Sequence, residues 1–125
     1  MRIEHIAIWT VNLERLKNFY VKYFGAKAGL LYTNKKTGFQ SYFLEFKEGC
    51  RLEIIQMPGI VEQTNNGIGL AHFAISVGSK EDVESLTNRL RDEGYKVLSE
   101  PRVTGDGYFE SVISDPDGNR VEITI

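Results

Sequence analysis

Hydrophobic and polar positions first alternate, then recur every three or four residues, then alternate again, and this cycle runs twice through the 125-residue chain. In residues 3–10 the alternation sets Ile3, His5, Ala7 and Trp9 on one face and Glu4, Ile6 and Ile8 on the other, as in a strand. A helix is expected over 13–24, where Leu13, Leu16, Phe19, Tyr20 and Tyr23 form one apolar stripe between an Asn12 N-cap and a Gly25 stop. Strands are expected at 39–46 and 51–57, joined through Lys47-Glu48-Gly49, with a weaker strand at 29–32.

The second cycle repeats the plan. A strand is expected at 70–77 and a helix at 80–93, with Ser79 as cap, Asp82 at the capping-box position, Val83, Leu86 and Leu90 as the apolar stripe and Gly94 as the stop. A short strand at 96–99 follows, and strands 108–114 and 120–125 are joined by the turn Asp115-Pro116-Asp117-Gly118. Residues 58–69, which contain Asn65-Asn66-Gly67, carry neither period and read as a linker. The expectation is one α+β domain of two tandem βαβββ modules, about 1–60 and 70–125. Together they would form a cupped, mostly antiparallel eight-stranded sheet with helices on the outer face and the other face free for a ligand.

The repetition extends to individual residues. His5-Ile6-Ala7-Ile8 returns 67 positions later as His72-Phe73-Ala74-Ile75, and Arg51-Leu52-Glu53-Ile54 returns 69 positions later as Arg120-Val121-Glu122-Ile123. Gly25 and Gly94 are also 69 apart, so two copies differing by a small insertion account for all three offsets. Both histidines of the chain therefore stand at equivalent positions, matched by two equivalent glutamates.

Composition narrows the function. With 42% hydrophobic and 26% charged residues the chain lies in the globular range, which excludes a disordered or fibrous protein. The net charge of −2 and the scattered basic residues leave no stripe for phosphate backbones, so nucleic acid is not expected as a partner. No apolar run approaches the roughly 18 residues of a membrane span, and the first residues enter a patterned strand directly, so a cytoplasmic protein is expected. Cys50 is the only cysteine; it excludes an internal disulfide and a thiolate-rich zinc site, and it reads as a small strand residue.

Charged or polar ligand-type residues stand between apolar neighbours at three of the four repeated positions. Leu52 and Ile54 flank Glu53, Ala71 and Phe73 flank His72, and Val121 and Ile123 flank Glu122. Alternation turns the four side chains away from the helix-packing face, where burial is costly unless they are solvated, paired or bound to a cation. Taken singly, a strand histidine is usually a hydrogen-bonded structural residue and an alternating glutamate the wet face of a strand. As a set, His5, Glu53, His72 and Glu122 suit a first-row divalent metal ion such as zinc, nickel, cobalt, manganese or iron, with positions left for water or substrate.

The same stretches, with Asn18-Phe19-Tyr20, Phe24-Gly25 and Asp115-Pro116-Asp117-Gly118-Asn119, resemble the vicinal oxygen chelate superfamily over nearly the whole chain. That superfamily includes glyoxalase I, methylmalonyl-CoA epimerase, extradiol dioxygenases, fosfomycin-resistance enzymes and metal-free bleomycin-binding proteins. A His and a Glu from each repeat resemble the ligand set of glyoxalase I, the lactoylglutathione lyase; extradiol and fosfomycin enzymes generally use two His and one Glu. The resemblance implies a small-molecule substrate whose adjacent oxygens chelate the metal. It also implies removal of a proton next to a carbonyl through an enediolate, with Glu122 as the first candidate base and Glu53 the second. Arg102 is a candidate anion contact, and Trp9, Tyr42 and Tyr108 are candidate lining residues. A homodimer is implied as well, with His5 and Glu53 of one chain meeting His72 and Glu122 of the other. The alternatives are a non-catalytic protein that binds an antibiotic or aromatic molecule, a metal-dependent oxygenase, and an epimerase.

Overall fold

Strand β1, His5–Trp9, lies parallel to β5, Arg51–Gln56, so the first and last strands of the first half close on each other. A computed structural model describes residues 3–61, 70–105 and 107–125; part of the expected linker, 62–69, lies outside the described residues. Two compact units, Met1–Gln63 and Thr64–Ile125, make up the chain.

In the first unit the sheet order is β1-β5-β4-β2, with β4 at Phe39–Glu45 and β2 at Lys27–Ala28, and β3 at Tyr32–Asn34 also pairs with β4. All pairings except β1 with β5 are antiparallel. The single strand expected at 29–32 is thus two short strands on either side of Gly29-Leu30-Leu31, with Gly29 N–H still donating to the Phe43 carbonyl at 2.9 Å. Leu30, fully solvent-facing, has no packing partner that would hold it in the ladder. Helix α1, Leu13–Phe24, packs on β4 and β5 and buries Leu13, Leu16, Phe19, Tyr20 and Tyr23, the expected stripe. Asn12 accepts a hydrogen bond from Arg15 N–H at 3.0 Å, and Gly25 ends the helix at φ 64°, where a Cβ would be strained.

The second unit has the order β6-β9-β8-β7, formed by Phe73–Ser76, Arg120–Thr124, Phe109–Ser114 and Val97–Val103. Again the first and last strands, β6 and β9, are parallel and the rest antiparallel. Helix α2, Lys80–Asp92, buries Val83, Thr87 and Leu90, whereas the expected Leu86 is only half-buried. Thr87 enters the core because its hydroxyl donates to the Val83 carbonyl at 2.6 Å and also bonds Ser111 Oγ at 2.6 Å, which removes the cost of burying it. Strand β7 runs on past the expected 99 and through Pro101. It tolerates a residue without an N–H because it is the sheet edge, and its register shifts twice on the way.

The described residues therefore form an α+β fold of two helices and nine strands, one more than the eight expected, because the second strand of the first half is divided. Among them no helix is long and apolar enough to cross a membrane.

Candidate metal centre

Parallel pairing of the end strands decides where the histidines and glutamates point. Ala7 stands opposite Glu53 and Ala74 opposite Glu122, so each histidine, two residues before the alanine, shares its glutamate's side of the sheet. His5 Nε2 is 3.9 Å from Glu53 Oε2, and His72 Nε2 is 3.4 Å from Glu122 Oε2. The glutamates are mostly buried, at 15% and 19% exposure, and the histidines about half exposed. His72 lies just before β6 rather than inside a strand, yet it holds the same position relative to Glu122 as His5 holds to Glu53.

These spacings match the chemistry of the donors. Metal–nitrogen and metal–oxygen bonds of about 2.1 Å meeting at a tetrahedral angle place the two donors about 3.4 Å apart. His72 and Glu122 are at that separation, and His5 and Glu53, at 3.9 Å, lie slightly beyond it. No group of three or more His, Cys, Asp or Glu side chains is placed to hold one metal ion among the described residues. Each unit thus contributes one His–Glu pair.

Around the first pair the structure adds residues that sequence reasoning missed. Glu4 Oε2 is 2.5 Å from His5 Nδ1, and the same carboxylate accepts from Arg51 Nε at 2.8 Å and from a second guanidinium nitrogen. Those contacts hold the Glu4 carboxyl below its ordinary value; the His5 hydrogen bond contributes most, and Arg51 adds to it against the opposing cost of desolvation. Phe43 stands opposite Glu53 and meets the His5 ring edge-on, with centroids 5.3 Å apart, while the Arg51 guanidinium lies 4.1 Å over the Phe43 ring. The signal for Arg51 was present, since it belongs to the repeated Arg-x-Glu stretch.

The expected lining residues separate. Trp9 shares the His5 face of β1 and is 43% exposed. Arg102, opposite Glu110 on β8, lies on the Glu122 side of its sheet; it donates to Ser99 Oγ at 2.7 Å and is 3.8 Å from Glu110 Oε1. Tyr108 sits in the β7–β8 connection, exposed, its N–H donating to Thr104 Oγ1 at 2.9 Å. Tyr42 departs from the expectation. It stands opposite Ile54 and therefore on the helix side of the sheet, where its hydroxyl donates to Glu14 Oε1 on α1 at 2.7 Å.

That hydrogen bond, with burial adding to it, raises the Tyr42 phenol above its ordinary value, because ionisation would set two negative oxygens together. The contact is intact below the ordinary phenol range and lost as pH rises through the raised value. A difference absorbance titration against Tyr42→Phe is expected to remove a phenol that ionises above the ordinary range near pH 10; removal of one that ionises below it would contradict the Glu14 contact.

Comparison with known proteins gives the family and the fold. Residues 2–123 match the family described as Glyoxalase/Bleomycin resistance protein/Dioxygenase superfamily. The chain is 31% identical to a probable trivalent organoarsenical cleaving enzyme of Bacillus subtilis, over 98% of this chain and 78% of that protein. It is 30% identical to biphenyl-2,3-diol 1,2-dioxygenase 3 of Rhodococcus globerulus, over 99% of this chain but 63% of that one. The solved glyoxalase I of Zea mays superposes with a TM-score of 0.81 at 25% identity, over 98% of this chain and 44% of the maize enzyme. With the first and last strands of each unit paired in parallel and a match spanning 2–123, the chain belongs to the Glyoxalase/Bleomycin resistance protein/Dioxygenase superfamily.

Proposed function

We propose that the protein is a divalent-metal-dependent lyase or isomerase of the glyoxalase I kind, with His5, Glu53, His72 and Glu122 as the metal ligands. The observation that carries this reading is that each unit sets an imidazole nitrogen 3.4–3.9 Å from a glutamate oxygen, in equivalent registers, with no hydrogen bond between them. Ring nitrogens and carboxylate oxygens turned toward each other in this way suit a shared cation. When bound, the ion supplies a Lewis acid that stabilises negative charge developing on substrate oxygens.

The chain's own residues do the rest. His5 and His72 present ring nitrogens as plain donors. Glu122, mostly buried on its strand and engaged only with His72 among the described residues, keeps lone pairs available to take a proton from the carbon next to a carbonyl. Glu53 is the second carboxylate so placed. Trp9 and the guanidinium of Arg102 are the proposed apolar and anionic substrate contacts. The protein is proposed to act as a cytoplasmic homodimer.

Metal analysis of purified protein tests the reading. A stoichiometric first-row divalent ion is expected, together with turnover of the hemithioacetal of methylglyoxal and glutathione, loss of that turnover on chelation and twice the chain mass by light scattering. Protein that binds no such ion on titration, or bound ion with no turnover, would remove the lyase assignment. The dioxygenase relative favours one second reading, an oxygenase, whose mark is oxygen consumption with a catechol-type substrate and iron as the required metal.

A further inference from the structure

The two His–Glu pairs share a register and differ in what stands behind the histidine. At His5 the Nδ1 side is occupied by the Glu4 carboxylate, itself fixed by two Arg51 nitrogens, and the ring is braced edge-on by Phe43. A carboxylate only accepts, so in the neutral ring the shared proton resides on Nδ1, and the lone pair remains on Nε2, the nitrogen that faces Glu53. At His72 the preceding residue is Ala71, which has no side-chain acceptor to offer, and the residue opposite Glu122 on the neighbouring strand is Val112 rather than an aromatic ring. Arg120 repeats Arg51 in sequence but has no Glu4 counterpart to hold.

We infer that Glu4 is a positioning residue that locks His5 in the Nδ1–H tautomer with Nε2 presented as a donor, so that the first unit's histidine is oriented in advance, whereas among the described residues no side chain does the same for His72. This inference rests on the metal-ligand reading of His5 and deepens it. A histidine ligand whose other ring nitrogen is anchored by a carboxylate is oriented and made more basic, and loss of such an anchor typically weakens metal binding about 10–100-fold.

The test uses the full chain with ¹⁵N-labelled histidine, as wild type, Glu4→Ala and Glu4→Gln, without metal and then titrated with zinc against a competing chelator. In the metal-free wild type His5 is expected to give the Nδ1–H signature in long-range ¹H–¹⁵N spectra, and His72 a mixture of tautomers. Glu4→Ala should shift His5 to a mixture and weaken zinc binding about 10–100-fold. Glu4→Gln, whose side-chain oxygen still accepts from Nδ1–H, should recover most of both. Glu4 is half exposed, so neither variant is expected to alter the fold. An unchanged His5 tautomer in Glu4→Ala, or zinc affinity within twofold of wild type, overturns the positioning role. If the wild type binds no zinc, the metal reading fails separately, and the tautomer spectra still decide what Glu4 does to His5.

Discussion

Glu122→Gln is expected to lower kcat for the hemithioacetal by about 10²–10⁴-fold, the range over which a positioned proton acceptor contributes. The substitution keeps the size and one coordinating oxygen of the side chain and removes its basicity. The fall should therefore appear in kcat more than in KM, with metal content largely retained and the circular dichroism spectrum unchanged. Glu53→Gln, at the second candidate base, should cost less. Retention of wild-type kcat in Glu122→Gln would end its assignment as base, and an equal loss in both variants would mean that neither carboxylate acts alone. Because Glu122 lies between Val121 and Ile123, both fully buried, its backbone is held by the core and the variant reads chemistry rather than displacement.

Leu16→Ala is expected to destabilise the first unit by roughly 2–5 kcal/mol, the usual cost of emptying a fully buried leucine site. Leu16 has no exposed surface and sits in the middle of the α1 face that packs on β4 and β5. Total stabilities of about 5–15 kcal/mol make such a loss visible as a large drop in the urea midpoint. In the second unit Leu86→Ala is the control, with a much smaller shift, since Leu86 is only half-buried. A Leu16→Ala midpoint close to wild type would show that α1 contributes little to holding its sheet.

Much of this molecule was legible from periodicity. The α1 stripe, the Asn12 and Ser79 caps and the glycine stops follow from local chemistry that tertiary contacts reinforce. Strand ends were less legible, because a strand stops where its partner stops. Residues 70–72 alternate as a strand should, but β6 begins at Phe73, opposite Val121 near the start of β9. In β4 both faces carry aromatic residues, Tyr42 on one and Phe43 on the other, so alternation alone could not say which ring would meet His5. The register opposite Ile54 and Glu53 answers that, and it is a contact between strands rather than a property of either. Thr87 escaped for a similar reason, since its burial depends on a hydroxyl partner in β8. The repeat accounts for the equivalent registers of the two His–Glu pairs, whereas Glu4 behind His5 falls outside it and has no counterpart before His72.

Each pair joins the start of its unit to the unit's last strand, across 48 residues in one case and 50 in the other. Neither pair exists in a partly folded unit whose end strands have not met, and a one-residue slip of β1 against β5 would send His5 to the helix side. A cation held there would bind only the closed arrangement and, by mass action, would add about 2.7 kcal/mol to it at a hundredfold excess over Kd. Were these four residues to hold the metal, they would also be a latch on the closure of each unit, and metal supply would then set how long the fold persists as well as how fast it works.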